Sequence, residues 1–310
     1  MDALKIENVT KIYRRGFKGV KITAVSDLSF SVKENRICGF VGPNGAGKTT
    51  TIKMTMGLVR PTRGKIFING VSSSLPESRR GVAYVSEQPY FYRHLTVSET
   101  LDFSARLIGI QGPSIDDEKK RVLKTVELTG RENSRIRDFS KGMQQRLNMA
   151  CGLLGNPKLL IFDEPMSGLD PPSRRLFRNL FRRLGEEGRT VFFSTHVLDD
   201  IEAVCDDVVV LDSGKPRYTG KVSALMERGA LGTELAVPQV PDALAREFTA
   251  EGCTLTPLQD GNVLLFVPPE KKQFDFQRRL SEQNVYCVSV NKRTMPLETL
   301  LYGKAKGEVV

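Results

Sequence analysis

The sequence has no tryptophan and only two histidines, and its five cysteines never fall into a C-x-x-C pair. That scatter offers no zinc site and leaves Cys38, Cys151, Cys205, Cys253 and Cys287 as small hydrophobes suited to a reducing compartment. No apolar run approaches the roughly 20 residues of a membrane-spanning helix. The first residues alternate charge and apolarity and do not read as a signal peptide, so a cytosolic chain is expected. If it serves a membrane, it does so from the side. Internal repeats and low-complexity tracts are absent too.

What is present is enough for a sizeable core. The 310 residues are 40% hydrophobic and 26% charged, room for one large domain or two ordinary ones. The net charge of +10 lies wholly in residues 1–220, because residues 221–310 hold 11 Lys and Arg against 11 Asp and Glu. A basic half can hold nucleotide, nucleic acid or an anionic membrane surface, though scattered cations also make an ordinary solvated face. The arginines from Arg174 to Arg183 read as such a face.

Residues 42–49, Gly-Pro-Asn-Gly-Ala-Gly-Lys-Thr, fit G-x-x-x-x-G-K-[ST]. A short apolar strand at residues 36–41 precedes them and a helix over residues 50–58 follows. Gly42, Gly45 and Gly47 let the backbone wrap closely around a ligand. The loop amides and the helix N-terminus form an anion nest, Lys48 adds a mobile charge, and Thr49 offers a hydroxyl to Mg²⁺. A glycine turn followed by a chance Lys-Thr has the same string, so the rest of the chain decides. Downstream, residues 159–162 are apolar and end in Asp163 and Glu164, which puts both carboxylates at the carboxyl end of a buried strand, where open α/β sheets bind ligands. Asp163 can hold Mg²⁺, and Glu164 is placed to polarise an attacking water.

Alternating strands are expected over residues 3–10 and 24–32, with a basic turn at 11–16 between them. Further strands are expected at 64–70, 82–85, 158–163, 190–194 and 207–211. Residues 96–154 have helical texture, with Ser114 capping a helix that reaches Leu128 and Ser140 opening another. Beyond Gly220 prolines punctuate a strand–helix–strand–strand–helix–strand order, with the last strand at 285–290 and a short helix at 296–302. That is the ferredoxin-like βαββαβ pattern. The expected organisation is an ATPase domain over 1–220, with a helical subdomain at about 96–154, and an accessory α+β domain over 221–310.

In their order, these motifs resemble the nucleotide-binding subunit of an ATP-binding cassette (ABC) transporter, over residues 4 to about 220. The resemblance implies an α/β P-loop NTPase fold of the ABC type, with an antiparallel β subdomain and a helical subdomain. It assigns Tyr13 to adenine stacking, with Phe17 close enough to compete. It assigns Gly42, Pro43, Asn44, Gly45, Ala46, Gly47, Lys48, Thr49 and Thr50 to the phosphates, and Gln88 to the loop that senses Mg²⁺ and meets the membrane subunit. Asp163, Thr49 and Gln88 become metal-binding residues, Glu164 the catalytic base, with Gln88 and His196, the switch histidine, as its catalytic partners; Asp170, in the D-loop, joins the nucleotide-binding residues. Ser140 and Gly142 match the signature, which reads Phe139-Ser140-Lys141-Gly142-Met143 in place of Leu-Ser-Gly-Gly-Gln. That variant is similar to the exporter-type subfamily with separate ATPase and membrane chains.

The resemblance further implies ATP and Mg²⁺ as cofactors and a second copy of the chain in a head-to-tail ATP sandwich. It also implies a separately encoded polytopic permease as partner, and residence on the cytoplasmic face of the cell membrane. The competing reading is a soluble ABC ATPase acting on nucleic acid or ribosomes. Only 52 residues separate Gln88 from Ser140, so no coiled-coil arm is inserted. A single cassette and the lack of an aromatic, basic single-strand platform also count against nucleic acid as a partner. His94 reads as a surface or capping histidine, and Tyr90-Phe91-Tyr92 as a partly exposed aromatic segment.

Overall fold

A computed structural model describes residues 1–15 and 20–302. The chain divides into two compact units, Met1–Val222 and Ser223–Val310. In chain order the first half of unit 1 contains β1 (Asp2–Arg15), β2 (Val20–Lys33), β3 (Ile37–Val41), α1 (Lys48–Thr55), β4 (Arg63–Ile68), β5 (Val71–Ser72) and β6 (Val82–Val85). There follow α2 (Val97–Leu107), α3 (Ser114–Thr125), α4 (Lys141–Leu153), β7 (Leu159–Phe162), α5 (Pro171–Glu186), β8 (Thr190–Thr195), α6 (Leu198–Val204), β9 (Asp207–Asp212) and β10 (Lys215–Lys221).

Two sheets result. An antiparallel sheet has the order β2-β1-β4-β5, and a six-stranded sheet the order β10-β9-β3-β8-β7-β6, parallel except at the β10–β9 edge. β3, β7 and β8 are buried along their whole length, as continuous apolar runs in a parallel sheet covered on both faces require. One face meets the antiparallel sheet around Phe30, Phe40 and Phe192, whose rings lie 5.5–5.8 Å apart. On α5, Phe177, Leu180, Phe181 and Leu184 are buried, and Phe181 lies 5.0 Å from both Phe162 and Phe193 of the sheet. Each such aromatic burial contributes about 1.5–3 kcal/mol. Pro171 and Pro172 open α5 where a missing N–H costs nothing.

The basic segment expected as a turn instead continues β1 through Arg15. Ile12, Tyr13 and Arg14 pair with Thr23, Ile22 and Lys21 of β2, so the ladder extends beyond the apolar alternation, across bulges. The capping expectation also shifts. Ser114 is the first residue of α3, behind Pro113, and its hydroxyl donates to Gln111 O at 2.6 Å; no side chain caps this helix. A full capping box, Thr96 with Glu99, starts α2. Ser140 does cap α4, accepting from Met143 N–H at 3.3 Å.

After α7 (Val222–Arg228), unit 2 contains β11 (Ala230–Val237), α8 (Asp242–Ala250), β12 (Thr254–Pro257), β13 (Val263–Val267), α9 (Gln273–Glu282), β14 (Ser289–Thr294) and α10 (Leu297–Tyr302). Its antiparallel sheet has the order β12-β13-β11-β14, the ferredoxin-like arrangement. Leu235, Val237, Leu265 and Val267 of the sheet share a core with Phe248 of α8 and with Phe276 and Leu280 of α9. The last strand lies about four residues later than expected. Asn284 at φ 59° and a bond from Val285 N–H to Leu280 O close α9, and Val285 and Cys287 pack on the core. The apolar alternation at 285–290 therefore marks packing, while polar residues carry most of the ladder. No helix among the described residues is long and apolar enough to cross a membrane.

Candidate functional site

The loop at residues 42–47 leaves the buried end of β3 and turns into α1. Gly47 makes the turn at φ 104°, and a Cβ there would lie 2.5 Å from Ala24 O. Only glycine meets both demands. No side chain caps α1 and no acid sits in its first turn, so its amide donors and dipole remain available to an anion. Lys48 is buried, its ammonium donating to Gly42 O at 2.6 Å and Pro43 O at 3.2 Å. Thr49 Oγ1 donates to Asp163 Oδ1 at 3.1 Å.

Parallel pairing of β7 with β8, and of β8 with β3, brings the carboxylates of Asp163 and Glu164 to the same edge. Asp163 is 2% exposed and Glu164 8%. Burial raises the Asp163 carboxyl above its ordinary range, against hydrogen bonds from Ser194 and Thr49 that favour the ionised form. Glu164 sits in the left-handed region at φ 47°, uncommon for a residue with a side chain. His196 Nδ1 lies 2.9 Å from its Oε2. Lys48 Nζ lies 3.1 Å from its Oε1, an ion pair by distance but out of hydrogen-bond alignment, since Oε1 has no hydrogen-bond partner.

A cavity of about 250 Å³ joins Lys48, Thr49, Glu164 and His196, lined also by Ala24, residues 44–47, Thr50, Glu87 and Ser167; Gly42, Pro43 and Asp163 lie outside its lining. Tyr13 does not line it. Its ring is 38% exposed, with the Lys11 ammonium 4.9 Å from its centroid. Phe17, its competitor, lies outside the described residues. Gln88 is exposed and does not line the cavity; its neighbour Glu87 does. Ser140, Gly142 and Asp170 also lie outside it. The first two sit where α4 meets the start of α5. A Cβ on Gly142 would be 3.3 Å from Ser173 Oγ, and one on Gly168 2.4 Å from Lys141 Nζ, so signature and D-loop adjoin within one chain. Sequence reasoning missed Ser194, which no motif singles out, and Ser167 and Glu87, adjacent to motif residues. The arginines of α5 are largely tied within the chain: Arg178 to the fully buried Asp200, Arg182 to Ala203 O and Arg183 to Thr125 O.

A larger cavity of about 720 Å³ opens at the amino ends of β7 and β8. Its Asn35, Asn69 and Asn156 are left-handed turn corners at φ 57°, 48° and 53°, residue choices explained by the turns themselves.

The smaller site can take a polyphosphate against Lys48 and the α1 amides. Mg²⁺ fits its donor set. Thr49 and Asp163 supply hard oxygens, and no group of three His, Cys, Asp or Glu is poised for a metal among the described residues. A cation held by one carboxylate, one hydroxyl, water and substrate phosphates matches magnesium chemistry.

A family model described as ABC transporter matches residues 25–167. The uncharacterized ABC transporter ATP-binding protein YxlF of Bacillus subtilis is 40% identical over 225 residues, 73% of each chain. The bacitracin transport ATP-binding protein BcrA of Bacillus licheniformis is 40% identical over 215 residues, 68% of this chain and 67% of its own. Alignments to uncharacterized relatives from Synechocystis and Nostoc span 62% and 66% of those proteins' lengths. Among solved structures, the dimeric post-hydrolysis state of the ATP-binding cassette MJ0796 with ADP and Pi is similar at a TM-score of 0.65. It is 26% identical, over 71% of this chain and 98% of that one.

Proposed function

The chain belongs to the ABC transporter ATP-binding family, and from that premise we propose that it binds ATP and hydrolyses it to drive export through a separate membrane subunit. The observation that carries this is the convergence of Lys48, Thr49, Asp163, Glu164 and His196 at one end of the parallel sheet. The α1 amides and Lys48 take the outer phosphates. Thr49 and Asp163 hold Mg²⁺, which neutralises phosphate charge when bound. Glu164 accepts the proton of the attacking water, and His196 orients that carboxylate through Oε2.

The site is half of a pair. Ser140 and Gly142 lie outside the cavity of their own chain, at the N-terminus of α4, and we assign them to the γ-phosphate held by a second copy. The dimeric cassette similar to this chain supports that arrangement. Turnover per chain is expected to fall on dilution through the dimerisation range; constant turnover overturns the sandwich. Tyr90 and Tyr92, 91% and 53% exposed, and Phe103 form an aromatic surface for the membrane partner, with residence on the cytoplasmic face of the membrane. The similarity to a bacitracin transport ATP-binding protein supports transport as the work that hydrolysis drives. The test is co-purification with a polytopic membrane protein, lost in Tyr90→Ala/Tyr92→Ala while soluble ATPase persists. Intact assembly of that variant counts against this surface.

A further inference from the structure

Ser194 belongs to none of the motifs above, yet its hydroxyl stands between the two catalytic carboxylate residues. It lies in β8, fully buried, two residues before His196. Its Oγ donates to Asp163 Oδ1 at 2.8 Å, the same oxygen that accepts from Thr49 at 3.1 Å. It also accepts from Glu164 N–H at 2.9 Å. That peptide introduces the residue held at φ 47°, a conformation that survives only where its surroundings over-determine it.

We infer that Ser194 is a positioning residue for hydrolysis, fixing Asp163 toward the metal and the Glu164 backbone toward the water by one hydroxyl. This rests on the ATPase reading above. Both directions of the hydroxyl are used, so its proton has a single place to go, on Asp163. With Oδ1 engaged by two hydroxyls, the carboxylate cannot rotate about its Cβ–Cγ bond without losing both bonds. The same Oγ keeps the β7 end from relaxing out of the left-handed turn, which would swing the Glu164 side chain off His196. An apolar residue of similar size in β8 would pack as well and do neither.

The test compares Ser194→Ala, Ser194→Cys and Ser194→Thr in the full chain. Steady-state ATPase is followed against Mg²⁺ concentration, and calorimetry gives the affinity for ATP with and without Mg²⁺. Removal of a group that orients a metal ligand typically costs 10–100-fold in metal affinity or activity. The Ala and Cys variants are expected to lose kcat by about that factor and to need more Mg²⁺. Their affinity for metal-free ATP and their Tm should stay near wild type, and Thr should recover most of the loss. Wild-type kcat and Mg²⁺ dependence in the Ala variant overturn the inference. So does a parallel loss of Tm, metal-free ATP affinity and kcat that Thr fails to rescue, which marks a packing role. Absence of ATPase in the wild-type chain itself overturns the parent reading instead.

Discussion

His196 and Glu164, 32 residues apart in sequence, meet at 2.9 Å, Nδ1 to Oε2, at the adjoining ends of β8 and β7. The contact sets one carboxylate oxygen and leaves the other beside Lys48. Glu164→Gln is expected to cut turnover by about 10²–10⁴-fold, the usual worth of a positioned base, while ATP-stabilised dimers accumulate. Rapid-quench ATPase with size-exclusion chromatography checks it. Wild-type turnover in this variant sinks Glu164 as the base.

Gly47→Ala should damage both folding and binding. The residue needs φ 104°, and a Cβ would press on the Ala24 carbonyl at 2.5 Å. Holding a residue in a sparsely populated region costs about 1–3 kcal/mol before any clash. The expected outcome is a lower denaturant midpoint and loss of ATP binding. Preservation of both contradicts the steric account.

Asp163→Asn should be more stable than the parent at neutral pH, measured without nucleotide or metal. Burial raises the folded-state pKa of Asp163 above its ordinary value of 3.8. The folded form therefore holds this proton more tightly than the unfolded form. Stability falls as pH rises from 3.8 through the raised value and stays lower above it. An amide removes that loss, and its oxygen still accepts from Ser194 and Thr49. The gain should vanish below pH 3.8. Urea titrations at several pH values test the sign, and a gain that grows toward acid refutes it.

Asp200 is fully buried and holds Arg178 at 2.5 Å, with Arg174 at 3.7 Å, joining α5 to the helix after His196. Arg178→Ala leaves a buried charge short of its main partner and should cost about 3–5 kcal/mol. Adding Asp200→Asn should return much of it. A double variant no more stable than the single one refutes the pairing.

The sequence by itself determined the chain-local parts of this protein. The phosphate loop, the strand that ends in Asp163 and Glu164, the helical subdomain and the βαββαβ order of unit 2 are written in neighbouring residues. Glycine spacing, apolar runs and periodicity act over a few residues, so a pattern reports them directly. Only the tertiary structure decided what depends on register between distant segments. Pairing of β8 with β7 puts Ser194 between Asp163 and Glu164, some 30 residues away, and no spacing rule encodes that. The ladder also drew the basic end of β1 into a strand and moved β14 onto polar residues, because backbone hydrogen bonds ignore side-chain polarity. Tyr13 and Gln88 show the same limit. Their motifs name them, but only the folded chain shows that neither lines the cavity where Lys48, Glu164 and His196 converge.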